Sequence, residues 1–423
     1  MHKVHFIGIG GIGMSALAQL MLHDGVRVSG SDRDTSPVTD MLEKDGISVL
    51  IPQRAENVPT DADTVVYSDA VPEDNPERAR AKELGIPQFS YFAMLGQVSA
   101  GKRTLAVAGT HGKTTTTGML TKILKDAGAD PTGVIGSIVK DFGSNYVPGT
   151  SDVFVVEACE YKDHVLELSP QVLVITNLEW DHTDWFSSLG ALQETFRKAV
   201  AKVPVHGAIV ANPNDPNVAP VIADAKAKVI DYTQEPAYEL KLPGEFNQMN
   251  ARAAAAAARA IRPELSDPTV VASLKNFQGT WRRFEYKGKS KNGADVYDDY
   301  AHHPTAVKKT LEALRAKTNG KIFVAFHPHL YSRTKDLLEE FSTAFNAADE
   351  VFLAPIYAAR EKDDGSVSSE LLAERIAANG TKATALPTFD AIETALQSAG
   401  PTDVIMTMGA GDIYKVADTL VTH

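Results

Sequence analysis

The chain has 423 residues, 43% of them hydrophobic, which is too long for one ordinary domain of roughly 100–200 residues and points to two to four. A net charge of −12 argues against nucleic acid as the main partner, since binding a phosphate backbone needs a basic surface, but it leaves room for a local basic site. The single cysteine, Cys159, permits no intrachain disulfide, and no apolar run approaches the ~18–20 residues of a membrane helix, so a cytoplasmic protein without membrane insertion is expected.

From the start, short apolar runs alternate with helix-compatible stretches. VHFIGIG, VRVSGSD and DTVVYSDA come first, with SALAQLMLHDG between the first two. TLAVAGT, VFVVEAC, VLVITNL and GAIVAN follow, then the alanine-rich Asn250–Ile261, a good helix former. KIFVAF, EVFLAP and DVIMTMGAG close the series, with TAVKKTLEALRAK ahead of them. This alternation predicts an α/β protein with parallel sheets covered by helices, whose ligands gather at the C-terminal strand ends. Three domains are expected: 1–100, 101–281 and 282–423. The first and third are Rossmann-like and the second is of the P-loop ATPase type.

The first strand runs into HFIGIGGIGMSALA. Gly8, Gly10, Gly11 and Gly13 let the backbone turn sharply and approach a ligand, and the helix after them would aim its amides at a phosphate. Asp32 ends the next strand, where an acidic residue would meet a ribose hydroxyl. A tight turn with no ligand, a nicotinamide cofactor and a nucleotide diphosphate sugar all fit this pattern. The oxidoreductase reading rests on this turn alone.

The second glycine-rich turn, GTHGKTTTT, also stands between a strand and a helix. Gly109 and Gly112 free amides, with Thr110 and Thr115 beside them, to wrap phosphate oxygens. Lys113 neutralises phosphate charge and Thr114 offers a hydroxyl to Mg²⁺. The spacing departs from the Walker pattern, because Val107 stands where the first glycine is expected. Glu157 ends VFVVE, and Asn177, Glu179, Asp181, His182 and Asp184 follow VLVIT. Hard divalent ions take oxygen ligands, so Thr114 and Glu157 form a candidate metal site, with His182 serving a second ion. Asp181 and Asp184 read equally well as functional carboxylates of this site and as helix caps or surface charges. Cys159 reads as a small buried residue and not as a catalytic thiol.

With both turns in view, the chain resembles the Mur ligases, ATP-dependent amide-forming enzymes of peptidoglycan precursor synthesis. The resemblance spans nearly the whole chain through HFIGIGGIGMSALA, SDAVPEDNPE, GTHGKTTTT, NLEWDH, RRFE, DDYAHHPTAV, PHLYSRT and GAGDIY, in that order. It is nearest to the members that add alanine to UDP-N-acetylmuramate. It implies a UDP-sugar on the first domain, ATP on the second, and a third domain that closes over both. The expected partners are therefore UDP-N-acetylmuramate, ATP with Mg²⁺ in two sites, and an amino acid, L-alanine first. A monomer or dimer is expected.

Carried over by motif, Gly10, Gly11, Gly13, Met14, Ser15, Asp32 and Ser68 line the UDP side, and His111 faces the muramoyl substrate. Lys113 and Thr114 take phosphate and metal, with Glu157 and His182 as further metal ligands. Lys113, Glu157 and His182 are the catalytic candidates. Asn247 and Asn250 lie near adenine. Arg283, Asp299, Tyr300 and His302 reach the nucleotide, and His329 and Arg333 meet the amino acid. Two departures stand out. GEFN has Phe246 where the family often has histidine, and PHLYSR has Leu330 where an arginine is common. Losing a charge-assisted contact to a carboxylate would cost on the order of 1.5–3 kcal/mol, and Arg360 is a candidate replacement. Lys198 is not assigned as a carbamylated lysine.

Overall fold

The computed structural model describes residues 1–359 and 361–421. Three sheets carry the chain. The first holds β1 (Lys3–Ile7), β2 (Arg27–Ser31), β3 (Ser48–Leu50), β4 (Thr64–Tyr67) and β5 (Gln88–Ser90), all parallel in the order β3-β2-β1-β4-β5. The second holds β6 (Arg103–Ala108), β7 (Thr132–Val139), β8 (Ser144–Val147), β9 (Val153–Glu157), β10 (Val172–Ile175), β11 (Ala208–Ala211) and β12 (Lys228–Asp231). Their order is β12-β11-β10-β6-β9-β7-β8, with β8 antiparallel at the edge. The third holds β13 (Glu285–Lys289), β14 (Asp295–Asp299), β15 (Ile322–Phe326), β16 (Glu350–Leu353), β17 (Lys382–Ala385) and β18 (Val404–Met408). Its order is β13-β14-β18-β15-β16-β17, with β13 antiparallel.

The central strands are buried on both faces, which is why they read as continuous apolar runs such as VLVI, IFVAF and VIMTM. In the third sheet the period of two separates two cores. Ile322, Val324, Phe326, Met406 and Met408 enter one; Phe323, Ala325 and Ile405 enter the other. Truncating Phe326, which is fully buried, would cost about 3–5 kcal/mol.

The chain folds as two compact units. One contains residues 1–178, 192–239 and 250–277 and so both N-terminal sheets; the other contains 179–191, 240–249 and 278–423 and so the third sheet. The strand registers bring functional segments to common edges. Ile7 is level with Ser31 and Tyr67, so the first glycine-rich turn, Asp32 and Ser68 leave one edge together. Val107 is level with Glu157, and Ala108 with Ile175, which puts the second turn beside Glu157 and Thr176. Met408 is level with Asp299 and Phe326, so Tyr300, His327 and Gly409 share a third edge.

Candidate active site

In the first unit the turn after β1 is fixed by amides of Gly8 and Ile9 donating to the Ser31 carbonyl at 2.8 and 2.9 Å. The Gly10 amide donates to Asp32 Oδ2 at 2.7 Å, so Asp32 braces the turn itself. Gly8 has φ +81°, and Ser68 Cβ would lie 3.2 Å from a Cβ placed on it. Gly11 caps the helix Ile12–His23 with no side-chain cap bond, which leaves its first amides to other acceptors. Met14 is buried. Ser15 is also buried and receives a hydrogen bond from Asn145 Nδ2 at 3.0 Å, inside the packing of this helix against β8.

The second turn is pinned from β10. The His111 amide donates to Asn177 Oδ1, and Asn177 Nδ2 donates back to the His111 carbonyl, both at 3.0 Å. The Thr110 amide donates to the Asn177 carbonyl at 3.0 Å, and Thr176 Oγ1 to that of His111 at 2.6 Å. Gly109 (φ +125°) and Gly112 (φ +84°) take backbone conformations that suit glycine; an added Cβ on Gly112 would stand 2.2 Å from Asn250 Oδ1. The helix Lys113–Asp126 begins here, again without a side-chain cap bond, and Thr115 is buried in its first turn.

Lys113 Nζ donates to the Gly109 carbonyl at 2.5 Å and to Glu160 Oε1 at 2.9 Å. Burial opposes its charge, but Glu160, with Cys159 and Glu157 nearby, raises its pKa and keeps it an ammonium. Thr114 Oγ1 donates to Glu157 Oε1 at 3.0 Å, and Glu157 Oε2 accepts from the Gly136 amide at 2.8 Å. This oxygen set fits a small hard divalent ion, and the ammonium beside it fits phosphate charge. Glu160 was not singled out from the sequence. It pairs with Lys113 across 47 positions, a contact only the fold creates. Lys198 is exposed on the helix Leu189–Lys202.

In the second unit, Asp181 Oδ1 accepts from Arg333 Nε at 2.9 Å, from Arg333 Nη2 at 2.8 Å and from the His182 amide at 2.6 Å. Burial opposes ionisation of Asp181, but Arg333 and then His182, His303 and His302 hold its carboxyl well below the usual range. Arg333 Nη1 is 2.9 Å from His329 Nδ1. These donors are thus directed within the protein. His182 has φ +52°, a strained value for a non-glycine residue. His302 Nδ1 is 2.9 Å from the Tyr300 carbonyl, and its ring meets that of His329 edge-on at 5.9 Å. Burial and the Arg333 charge depress its pKa well below normal, so it is neutral at physiological pH.

The two arginines of RRFE divide. Arg282 is buried, paired with Asp298 at 2.8 Å and donating to the carbonyls of Gly411 and Gly409. Arg283 lies over the Tyr300 ring at 4.8 Å. Asp299 accepts from the amides of Phe284 at 2.8 Å and Ala301 at 2.7 Å; burial lifts its pKa to about 6 against the opposing charge of Arg283.

Asn247 donates to the Pro243 carbonyl at 2.7 Å and belongs to this unit, whereas Asn250 belongs to the first. Phe246 packs on the larger core of the third sheet, a role histidine would fill poorly. Leu330 is 1% exposed with φ +70°, and its amide donates to the Tyr357 carbonyl at 2.9 Å. Arg360 lies outside the described residues.

Family profiles match three consecutive stretches: Mur ligase family, catalytic domain, over residues 3–103; Mur ligase middle domain over 107–240; and Mur ligase, glutamate ligase domain over 282–411. The UDP-N-acetylmuramate–L-alanine ligase of Clostridium acetobutylicum is 39% identical over 99% of this chain and 97% of its own. That of Acetivibrio thermocellus is 41% identical over 98% and 94%. Among solved structures, the UDP-N-acetylmuramate–alanine ligase from Thermotoga maritima matches with a TM-score of 0.81 at 28% identity, covering 99% of this chain and 98% of its own. A murein peptide ligase from Psychrobacter arcticus shares the fold, with a TM-score of 0.75 at 24% identity and the same coverage.

Proposed function

Because the chain belongs to the Mur ligase family, we propose that it joins L-alanine to the carboxylate of UDP-N-acetylmuramate in an ATP-dependent reaction of peptidoglycan precursor synthesis. The observation that carries this reading is the centre made by Lys113, Thr114 and Glu157 on the second glycine-rich turn. A muramoyl carboxylate oxygen attacks the γ-phosphorus of ATP, ADP leaves, and an acyl phosphate forms. The amino nitrogen of alanine then attacks the acyl carbon. Inorganic phosphate leaves, and the nitrogen loses its proton to give the amide.

Two anions meet in the first step, so charge neutralisation is the main demand. Lys113 supplies a fixed ammonium held by Glu160. Mg²⁺, when bound, adds positive charge on the phosphate oxygens; Thr114 and Glu157 would hold one ion, and His182 is the candidate ligand for a second. Gly10, Gly11 and Gly13 would approach the UDP diphosphate, with Asp32 keeping that turn in shape. Arg283, Tyr300 and His302 are the candidate nucleotide contacts of the second unit. His329 is the candidate amino-acid contact there. Arg333 acts through Asp181 and His329, which already take its donors. Among the described residues no helix is long and apolar enough to cross a membrane, which accords with a cytoplasmic setting.

A related ligase with another acceptor is the second reading. Buried Leu330, where an arginine is common in the family, is the observation that favours it. Phosphate release with ATP, Mg²⁺, UDP-N-acetylmuramate and each of alanine, glycine and serine tests both. Alanine-dependent release with a product of the right mass supports the proposal. Release with another amino acid only transfers it to the second reading, and none with any of the three overturns the alanine reading and leaves an acceptor outside this set or a binding protein that forms no product.

A further inference from the structure

Gly13 lies in the first turn of the helix that follows the first glycine-rich loop. A Cβ on Gly13 would meet Tyr91 Cζ at 2.8 Å and Tyr91 Oη at 2.9 Å. The phenol ring is therefore laid directly against this turn, and only glycine leaves it room. Tyr91 opens the helix Tyr91–Ser99, whose start is fixed by Ser90 Oγ accepting from the Ala93 amide at 3.2 Å.

The neighbouring residue holds this placement. Phe92 stacks on His164 with ring centroids 3.8 Å apart and planes 15° from parallel. His164 Nε2 in turn lies 2.9 Å from Asp69 Oδ2, next in sequence to Ser68. A continuous set of contacts thus runs from the Ser68–Asp69 turn through His164 and Phe92 to Tyr91 and Gly13. Burial, and then the charges of Glu157 and Cys159, raise the Tyr91 pKa, so the phenol stays protonated and is a donor at any physiological pH. Among the described residues no hydrogen bond engages that hydroxyl. It is a donor set beside the first turn and within electrostatic reach of Glu157 at the second.

We propose that Tyr91 is a substrate-binding residue whose hydroxyl donates to an anionic oxygen of the sugar nucleotide held at the first glycine-rich turn. The assignment rests on the ligase reading above for the identity of that nucleotide. Two anionic groups of one molecule share the required chemistry: the diphosphate and the muramoyl carboxylate. A neutral donor meeting a charged acceptor makes a hydrogen bond worth roughly ten-fold or more in affinity.

Tyr91→Phe keeps the ring against Gly13 and removes only the hydroxyl. Calorimetric titration of wild type and variant with UDP-N-acetylmuramate, UDP-N-acetylglucosamine and ATP tests the proposal, with melting temperature as a control on folding. The expected result is affinity for UDP-N-acetylmuramate weakened about ten-fold or more, with ATP affinity and melting temperature unchanged. In turnover, KM for the sugar nucleotide rises and KM for ATP does not. Equal weakening of UDP-N-acetylglucosamine supports the proposal with the diphosphate as acceptor; weakening of the muramate alone supports it with the carboxylate. Unchanged affinity for both sugar nucleotides overturns it. So does equal weakening of ATP with a lowered melting temperature, which would assign Tyr91 to packing, and so does a wild type that binds neither sugar nucleotide. A wild type that binds UDP-N-acetylmuramate but forms no amide overturns the ligase reading, while the binding comparison still decides the role of Tyr91.

Discussion

Replacing Asp181 with alanine is expected to destabilise the second unit by about 3–5 kcal/mol, the range for removing one partner of a buried ion pair. One carboxylate oxygen accepts two N–H groups of Arg333 and the His182 amide. Both side chains are nearly enclosed, at 2% and 7% exposure. Alanine leaves the guanidinium buried with Nε and Nη2 unmatched, and frees the strained backbone of His182. The sign with pH follows from the direction of the shift. Asp181 is held below its ordinary value of 3.8, so its contribution is complete above about that pH and is lost as pH falls through the lower folded value. Urea denaturation at pH 7, followed by tryptophan fluorescence, measures the loss; Trp180, whose indole donates to the Phe186 carbonyl, reports from the same unit. Arg333→Met and the double variant complete the cycle. With both charges absent, the double variant should be less destabilised than the sum of the singles by at least about 2 kcal/mol. Additivity within about 0.5 kcal/mol would refute the pairing argument.

Lys113→Ala and Glu157→Ala are each expected to abolish measurable phosphate release while leaving UDP-sugar binding intact by calorimetry; normal turnover in either removes it from the centre. Gly112→Ala forces a Cβ to within 2.2 Å of Asn250 Oδ1 at φ +84°, so ATP affinity should fall at least about ten-fold on a strain of roughly 1–3 kcal/mol. The Cys159 thiol, pushed up to about 12 chiefly by burial and then by Glu160, should react with iodoacetamide at pH 8 more than about a hundred-fold slower than a free thiol does. Asp299 has its folded pKa raised from 3.8 to about 6, so the folded state binds the extra proton and stability falls as pH rises between those values. The loss is about 3 kcal/mol, and denaturation curves at pH 4 and 7 should show a smaller fall in Asp299→Asn than in wild type.

Strands buried on both faces were legible because a β-branched apolar run has few other places to go; the runs at β6, β10, β15 and β18 are of this kind. The edge strands β3, β5, β12 and β17 are short and only partly buried, so their sequences carry little pattern. The β7–β8 hairpin depends on a pairing across a register shift that no local signal marks. At the site, the two glycine-rich turns announced themselves through glycine spacing. Their braces did not. Lys113–Glu160 and Asp181–Arg333 join residues far apart in sequence, and neighbouring Arg282 and Arg283 are told apart only by which one the third sheet encloses. Tyr91 gave no sequence signal, since an aromatic residue at a helix start is ordinary core material.

Among the described residues eight non-glycine positions have positive φ, and six of them, Lys162, Asp163, His182, Arg282, Phe284 and Leu330, lie within or beside the segments that carry the proposed chemistry; Asp130 and Ala359 are the other two. Each holds roughly 1–3 kcal/mol of conformational energy that packing must overcome. For laboratory evolution this marks out the terrain in advance. Selection for heat resistance alone should accumulate relaxing replacements in these segments, and catalysts recovered that way should be sturdier and slower. Selection for turnover should hold the same positions fixed and gather its compensating stability elsewhere, in the caps and surfaces of the outer helices.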